Sequence, residues 1–192
     1  MGATRVSRWS RTTRPSEELQ RLKSLGVLGV AWNVTYYGVD YYRDAQPLLE
    51  KLVALDMFVN IQVEHDQLVP MMPLLADSGV RVLVDHCGRP TIDAGLDQPG
   101  FRALLEMGST KRAFVKLSGS SSSRTSLRRT RMRGRSCRRW SRHSRSIIAC
   151  GRRIGRTFAA PTRVDYGVLL NLVLTLFPDA SERRKLLWDT PR

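Results

Sequence analysis

From Val27 onward, short apolar runs alternate with amphipathic stretches of helical length, and this alternation restricts the possible folds more than any other feature. The runs VLGVAWNV (27–34), MFVNIQVE (57–64), VRVLVDHCG (80–88) and RAFVKLSG (112–119) read as strands. Between them lie DAQPLLEKLVALD (44–56), with Leu48, Leu49, Leu52, Val53 and Leu55 predicted inward, then QLVPMMPLLADSG (67–79), predicted as a helix interrupted by its prolines, and QPGFRALLEMG (98–108). PSEELQRLKSLG (15–26) precedes them as a short helix, with Ser16 as the expected N-cap and Gly26 as its stop. Strands separated by helices require right-handed crossovers and a parallel sheet. The expected class is therefore α/β.

Each predicted strand closes on polar or small residues: Asn33 and Thr35, Gln62 and Glu64, Asp85 and His86, Lys116 and Ser118. Side chains at the carboxyl ends of successive parallel strands converge on one face, as in the active site of a (β/α) barrel. No glycine-rich phosphate loop follows the first strand, which disfavours an open dinucleotide-binding sheet. In VRVLVDHCGRP the polar groups arrive together. His86 ends the run ahead of Gly88 and Pro90, which favours a site residue over a satisfied core histidine. Asp85 alternates away from His86 and is expected to make a structural hydrogen bond. Lys116 alternates with Val115 and Leu117, so it faces the barrel interior, where a lysine needs a partner. Cys87 lacks a neighbouring base and reads as a small buried residue, while His65 reads as a solvated loop position.

The chain has 192 residues and a net charge of +15, but the charge is segregated. Residues 1–14 contribute +4 and residues 118–164 contribute +14, both without a single acid; the remainder carries a net −3. The basic segments alone suggest an Arg/Ser-rich arm that binds nucleic acid, and the rest suggests an ordinary, slightly acidic enzyme. Such arms usually sit at termini, and Trp140 is the lone aromatic of SSSSRTSLRRTRMRGRSCRRWSRHSRS (120–146), so nucleic-acid binding is expected to be adventitious. Cys87, Cys137 and Cys150 have no CxxC spacing, so a reducing, cytoplasmic setting is expected. Tyr166 to Pro178 is too short to span a bilayer and reads as a buried helix; no membrane partner is expected. The basic start lacks the apolar core of a secretory signal.

Taken together, VDHCGRP, GLDQPGFRALLEM and AFVKLSG, with GVLGVAWNV, LLEKLVALDMFVNIQVEHDQL and the late VDYGVLLNLVLTLFPDASERRKLLWDTPR, resemble the amidohydrolase-related family of (β/α) barrel hydrolases. The branch they look most like contains pyrone dicarboxylate lactonase and sugar-lactone hydrolases, and the likeness covers roughly Glu18 to Gly119 and Ala160 to Arg192. It implies hydrolysis of a small lactone or ester, with carboxylated ones among the substrates. It also implies either one divalent metal, zinc or manganese, or none. By the resemblance His86 is the metal ligand or carbonyl-polarising group, and Arg89, Lys116 and Gln62 bind substrate.

Two family features are absent: a first strand bearing His-x-His, and a last strand with the general-base Asp in a Ser/Thr-Asp-Trp-Pro context. Cys150 to Thr157 occupies the second place. Translated from the last base of the Cys150 codon, a GC-rich coding sequence for this stretch can spell Trp-Ala-Ser-Asp-Trp-Pro-Asn. The same shift lets MRGRSCRRWSRHSRS spell an Ala/Val-rich helix and VSRWSRTTRPS an apolar strand followed by acids. Residues 1–15 and about 120–158 therefore read as out-of-frame translation. The expected organisation is an irregular basic segment (1–15), a barrel portion (16–119), an Arg/Ser-rich disordered segment (120–159) and C-terminal barrel helices (160–192). The fold is a partial (β/α)8 barrel lacking its first strands, with open edges that favour a homo-oligomer, and this chain is expected to be weakly active or inactive. The competing reading is a nucleic-acid-binding arm on a non-catalytic barrel fragment.

Overall fold

A computed structural model of the chain describes residues 5–7, 15–91, 94–116, 171 and 173–189, with side chains from residue 15 onward. The Arg/Ser-rich segment, residues 160–170, Ser118, Cys137, Trp140, His143 and Cys150 lie outside the described residues. Five parallel strands form one sheet in sequential order: β1 (Arg5–Ser7), β2 (Val27–Asn33), β3 (Phe58–Gln62), β4 (Arg81–Val84) and β5 (Ala113–Val115). The connecting helices are α1 (Ser16–Ser24), α3 (Gln46–Ala54), α4 (Leu68–Ser78) and α5 (Pro99–Ser109), with a one-turn α2 (Val34–Tyr37) directly after β2. Near the C-terminus, residues 173–176 are helical, followed by α6 (Ala180–Arg184). Strands that neighbour one another in both sequence and space, each returned by a helix, form the wall of a (β/α) barrel.

Alternation along the strands produces two unlike faces. Val30, Trp32, Val59, Ile61, Val82, Val84, Ala113 and Val115 are all buried on the helix side. There they join Leu48, Leu49, Leu52, Met71, Leu75 and Leu104 in one core. The opposite face runs through Gly29, Ala31 and Asn33 on β2, then Phe58, Asn60 and Gln62 on β3, with Leu83 and Phe114 in register on β4 and β5. Apolar side chains fill the lower part of that face, and polar ones gather at the carboxyl ends.

Several local readings are corrected. Arg5–Ser7 belongs to a segment read as irregular, yet it pairs with β2, because an edge strand needs only backbone groups to extend a sheet. The prolines do not break α4: Pro70 lies in the first turn, where an N–H has no partner to lose, and Pro73 forfeits one bond while Leu68, Met71 and Leu75 remain buried. Val53 faces solvent at 44% exposure, because Leu48, Leu49 and Leu52 already complete the inward stripe of α3. Ser16 is the first residue of α1 rather than its cap, which is Pro15. In the C-terminal segment Leu174 is exposed whereas Phe177 is buried. Among the described residues no helix is long and apolar enough to cross a membrane.

Candidate active site

β4 ends at Val84, four residues before the predicted boundary, and the chain then turns in an unusual way. His86, Cys87, Gly88 and Arg89 all adopt positive φ, at 54°, 56°, 68° and 44°. For the three non-glycine residues this left-handed conformation costs about 1 kcal/mol each, so it persists only where the surroundings enforce it. Arg89 N donates to His86 O (3.1 Å) within the turn, Cys87 N donates to Lys116 O (3.0 Å), and His65 N donates to Arg89 O (3.2 Å). Asp85 keeps the parity of Leu83 and so stays on the inner face, whereas the turn carries His86 out of the strand's alternation.

Asp85 consequently joins the inner polar cluster. Asn60 Nδ2 donates to Asp85 Oδ2 (3.1 Å), Lys116 Nζ donates to Asn60 Oδ1 (2.8 Å), and Lys116 Nζ lies 2.8 Å from Asp85 Oδ1. The last contact is an ion pair rather than an aligned hydrogen bond. Asn60 is 6% exposed, and the Asp85 and Lys116 side chains are 15% and 24% exposed, so water screens the pair only in part. The cluster ties together the carboxyl ends of β3, β4 and β5.

The four sequence-predicted site residues are placed differently. Lys116 faces the interior with two partners, so its charge is engaged by Asp85 rather than standing open for a substrate carboxylate. Arg89 is half-buried; its guanidinium lies 3.9 Å from Glu64, and its Nε has no hydrogen-bond partner among the described residues. Gln62, half-buried, ends β3 two residues beyond Asn60 on the same face. His86 is half-buried at the start of the left-handed turn. Asn60 was missed, although an amide enclosed between Val59 and Ile61 was a signal, since buried amides need partners. Exposed His65 contacts Thr91 Oγ1 at 2.7 Å, as suits a loop position.

The flanking loops are anchored separately. Asp66 Oδ1 accepts from Gly100 N (2.7 Å), which fixes the start of α5 beside the loop after β3. Gln98 holds Thr91 by accepting from its N–H (2.7 Å) and donating to its carbonyl (2.9 Å). At the end of β2, Asn33 N donates to the hydroxyl of buried Tyr42 (2.9 Å), whose ring stacks on Trp32 at 4.6 Å. Burial pushes the Tyr42 hydroxyl up to about 12 from its ordinary 10.0, against the opposing effect of the Asn33 hydrogen bond. The folded state thus keeps a proton that the unfolded chain loses, and stability falls as pH rises from about 10 to 12. Urea midpoints at pH 9 and pH 11 should show a smaller drop in Tyr42→Phe than in the unsubstituted chain; an equal drop contradicts the assignment.

No three His, Cys, Asp or Glu side chains among the described residues converge as metal ligands, and Asp85 is held by Lys116. The described residues by themselves therefore do not fit zinc or manganese.

Comparisons with known proteins agree on the fold. A 2-pyrone-4,6-dicarboxylic acid hydrolase assigned in Pseudomonas putida superposes with a TM-score of 0.80 at 24% identity, covering 97% of this chain and 69% of that one. A second protein so assigned, from Acinetobacter baumannii with citric acid bound, gives 0.80 at 20% identity and covers 97% and 70%. The 4-sulfomuconolactone hydrolase of Rhizobium radiobacter is 28% identical over 186 residues, 91% of this chain. The chain spans 60% of that relative's length, so it is similar to part of the enzyme. The sequence profile of the amidohydrolases matches residues 8–145. With the match covering well over half its length, the chain belongs to the amidohydrolase family.

Proposed function

We propose that the chain is part of a cytoplasmic hydrolase that opens small lactones bearing an acidic group. The observation that carries this reading is the similarity across 91% of the chain to a 4-sulfomuconolactone hydrolase. That name and the dicarboxylic acid hydrolase names both describe a cyclic ester carrying acidic groups. On this reading Arg89 binds the acidic group, since a planar guanidinium forks onto a carboxylate or sulfonate and, among the described residues, only Glu64, at 3.9 Å, competes for it. Gln62 contributes a further polar contact at the mouth. His86 polarises the ester carbonyl and stabilises the oxyanion as water adds. The family's general-base Asp and His-x-His are not encoded, so water activation is inefficient and turnover slow. A divalent metal is assigned no step.

At high chain concentration, absorbance should record slow ring opening of 2-pyrone-4,6-dicarboxylate that disappears in His86→Ala. Ring opening unchanged by that substitution would remove His86 from the reaction. The missing motifs are read as a frame displacement within residues 1–15 and 120–158. Resequencing the DNA encoding residues 1–20 and 115–165 should reveal a frame with His-x-His and Ser-Asp-Trp-Pro; confirmation of the present frame refutes the displacement.

A further inference from the structure

We infer that Asn60, Asp85 and Lys116 are positioning residues that hold the left-handed turn His86–Arg89 in the geometry used for substrate binding and carbonyl polarisation. The inference rests on the proposed roles of His86 and Arg89, but its geometric part is independent of any activity. Lys116 grips the root of the turn at three points. Its N–H donates to Val84 O (2.9 Å), its carbonyl accepts from Cys87 N (3.0 Å), and its ammonium pairs with Asp85 at 2.8 Å. Residues 84, 85 and 87 are thus fixed by one residue of the neighbouring strand, and His86 is the residue enclosed between them. Asn60 completes the clamp from β3 by donating to Asp85 and accepting from Lys116.

This arrangement explains two features that substrate binding by Lys116 does not. The positive φ of His86 and Cys87, at 54° and 56°, needs external restraint, and the restraint comes from Lys116. Asp85, beside His86, carries a charge that requires a partner once partly buried, and that partner anchors it to β5. Loss of the ammonium leaves the carboxylate unpaired and lets the root of the turn rotate outward.

Cys87, buried within the turn, is a built-in reporter. In a Cys137→Ser/Cys150→Ser background, the rate of Cys87 labelling by a thiol-reactive disulfide reports opening of the turn, and a urea titration reports global stability. Lys116→Met and Asp85→Asn should raise labelling by about tenfold or more beyond the change that global stability predicts, the factor expected for a lost charge-assisted contact. Lys116→Arg should recover much of the protection. Leu52→Ala, a core substitution in α3, should change labelling only in step with global unfolding. Labelling in the Lys116 and Asp85 variants that merely tracks global stability, as in Leu52→Ala, overturns the inference. Where ring opening is measurable, Lys116→Met should lower kcat more than it raises KM. A failed hydrolysis assay with intact labelling differences would refute the functional reading and leave the clamp standing.

Discussion

Gly100→Ala is expected to destabilise the fold by about 1 to 3 kcal/mol, although alanine is the better helix former. A Cβ built on Gly100 would sit 2.0 Å from the carbonyl oxygen of His65 and 3.0 Å from Asp66 Cα. Both obstacles are backbone, so no rotamer change relieves them and α5 must move away from the loop after β3. That movement also stretches the bond from Gly100 N to Asp66 Oδ1. Overpacking costs about 1 to 3 kcal/mol and a lost capping contact about 1 kcal/mol, which together exceed the gain of about 1 kcal/mol in helix propensity. Urea unfolding followed by circular dichroism gives the value. A Gly100→Ala variant more stable than the parent would show that α5 does not approach the loop this closely.

Trp32→Ala should cost about 3 to 5 kcal/mol, the range for removing a large aromatic from a packed core. Trp32 is 3% exposed on the helix side of β2 and stacks on Tyr42, whose hydroxyl holds the Asn33 backbone at the strand's carboxyl end. The cavity therefore opens beneath one wall of the site. Trp32→Phe keeps part of the stack and should cost about half as much. A loss below about 1 kcal/mol in Trp32→Ala would place the indole outside the core, contrary to its burial.

The alternation of strands and helices was legible because each element carries its own period. The inward direction of Lys116 followed from its place between Val115 and Leu117. Its partners did not follow. Asn60, Asp85 and Lys116 meet only because Asn60 pairs with Leu83 and Leu83 with Phe114 across three parallel strands, and that register is a property of the assembled sheet. Gly88 and Pro90 announced a turn after β4. The left-handed run through His86 and Cys87 was hidden, since histidine adopts that conformation more readily than most residues but cysteine does not, and the restraint lies at the end of β5, about 30 residues away. The α4 prolines misled for the opposite reason: a local penalty was outweighed by burial of Leu68, Met71 and Leu75.

The most direct test of the lactone-hydrolase account is a calorimetric titration of the chain with 2-pyrone-4,6-dicarboxylate, beside the unsubstituted 2-pyrone. The account predicts saturable binding of the dicarboxylate, at least about tenfold tighter than that of the uncharged ring, and weakened by about tenfold or more in Arg89→Ala. Equal affinity for the two ligands, or binding indifferent to Arg89→Ala, would contradict it.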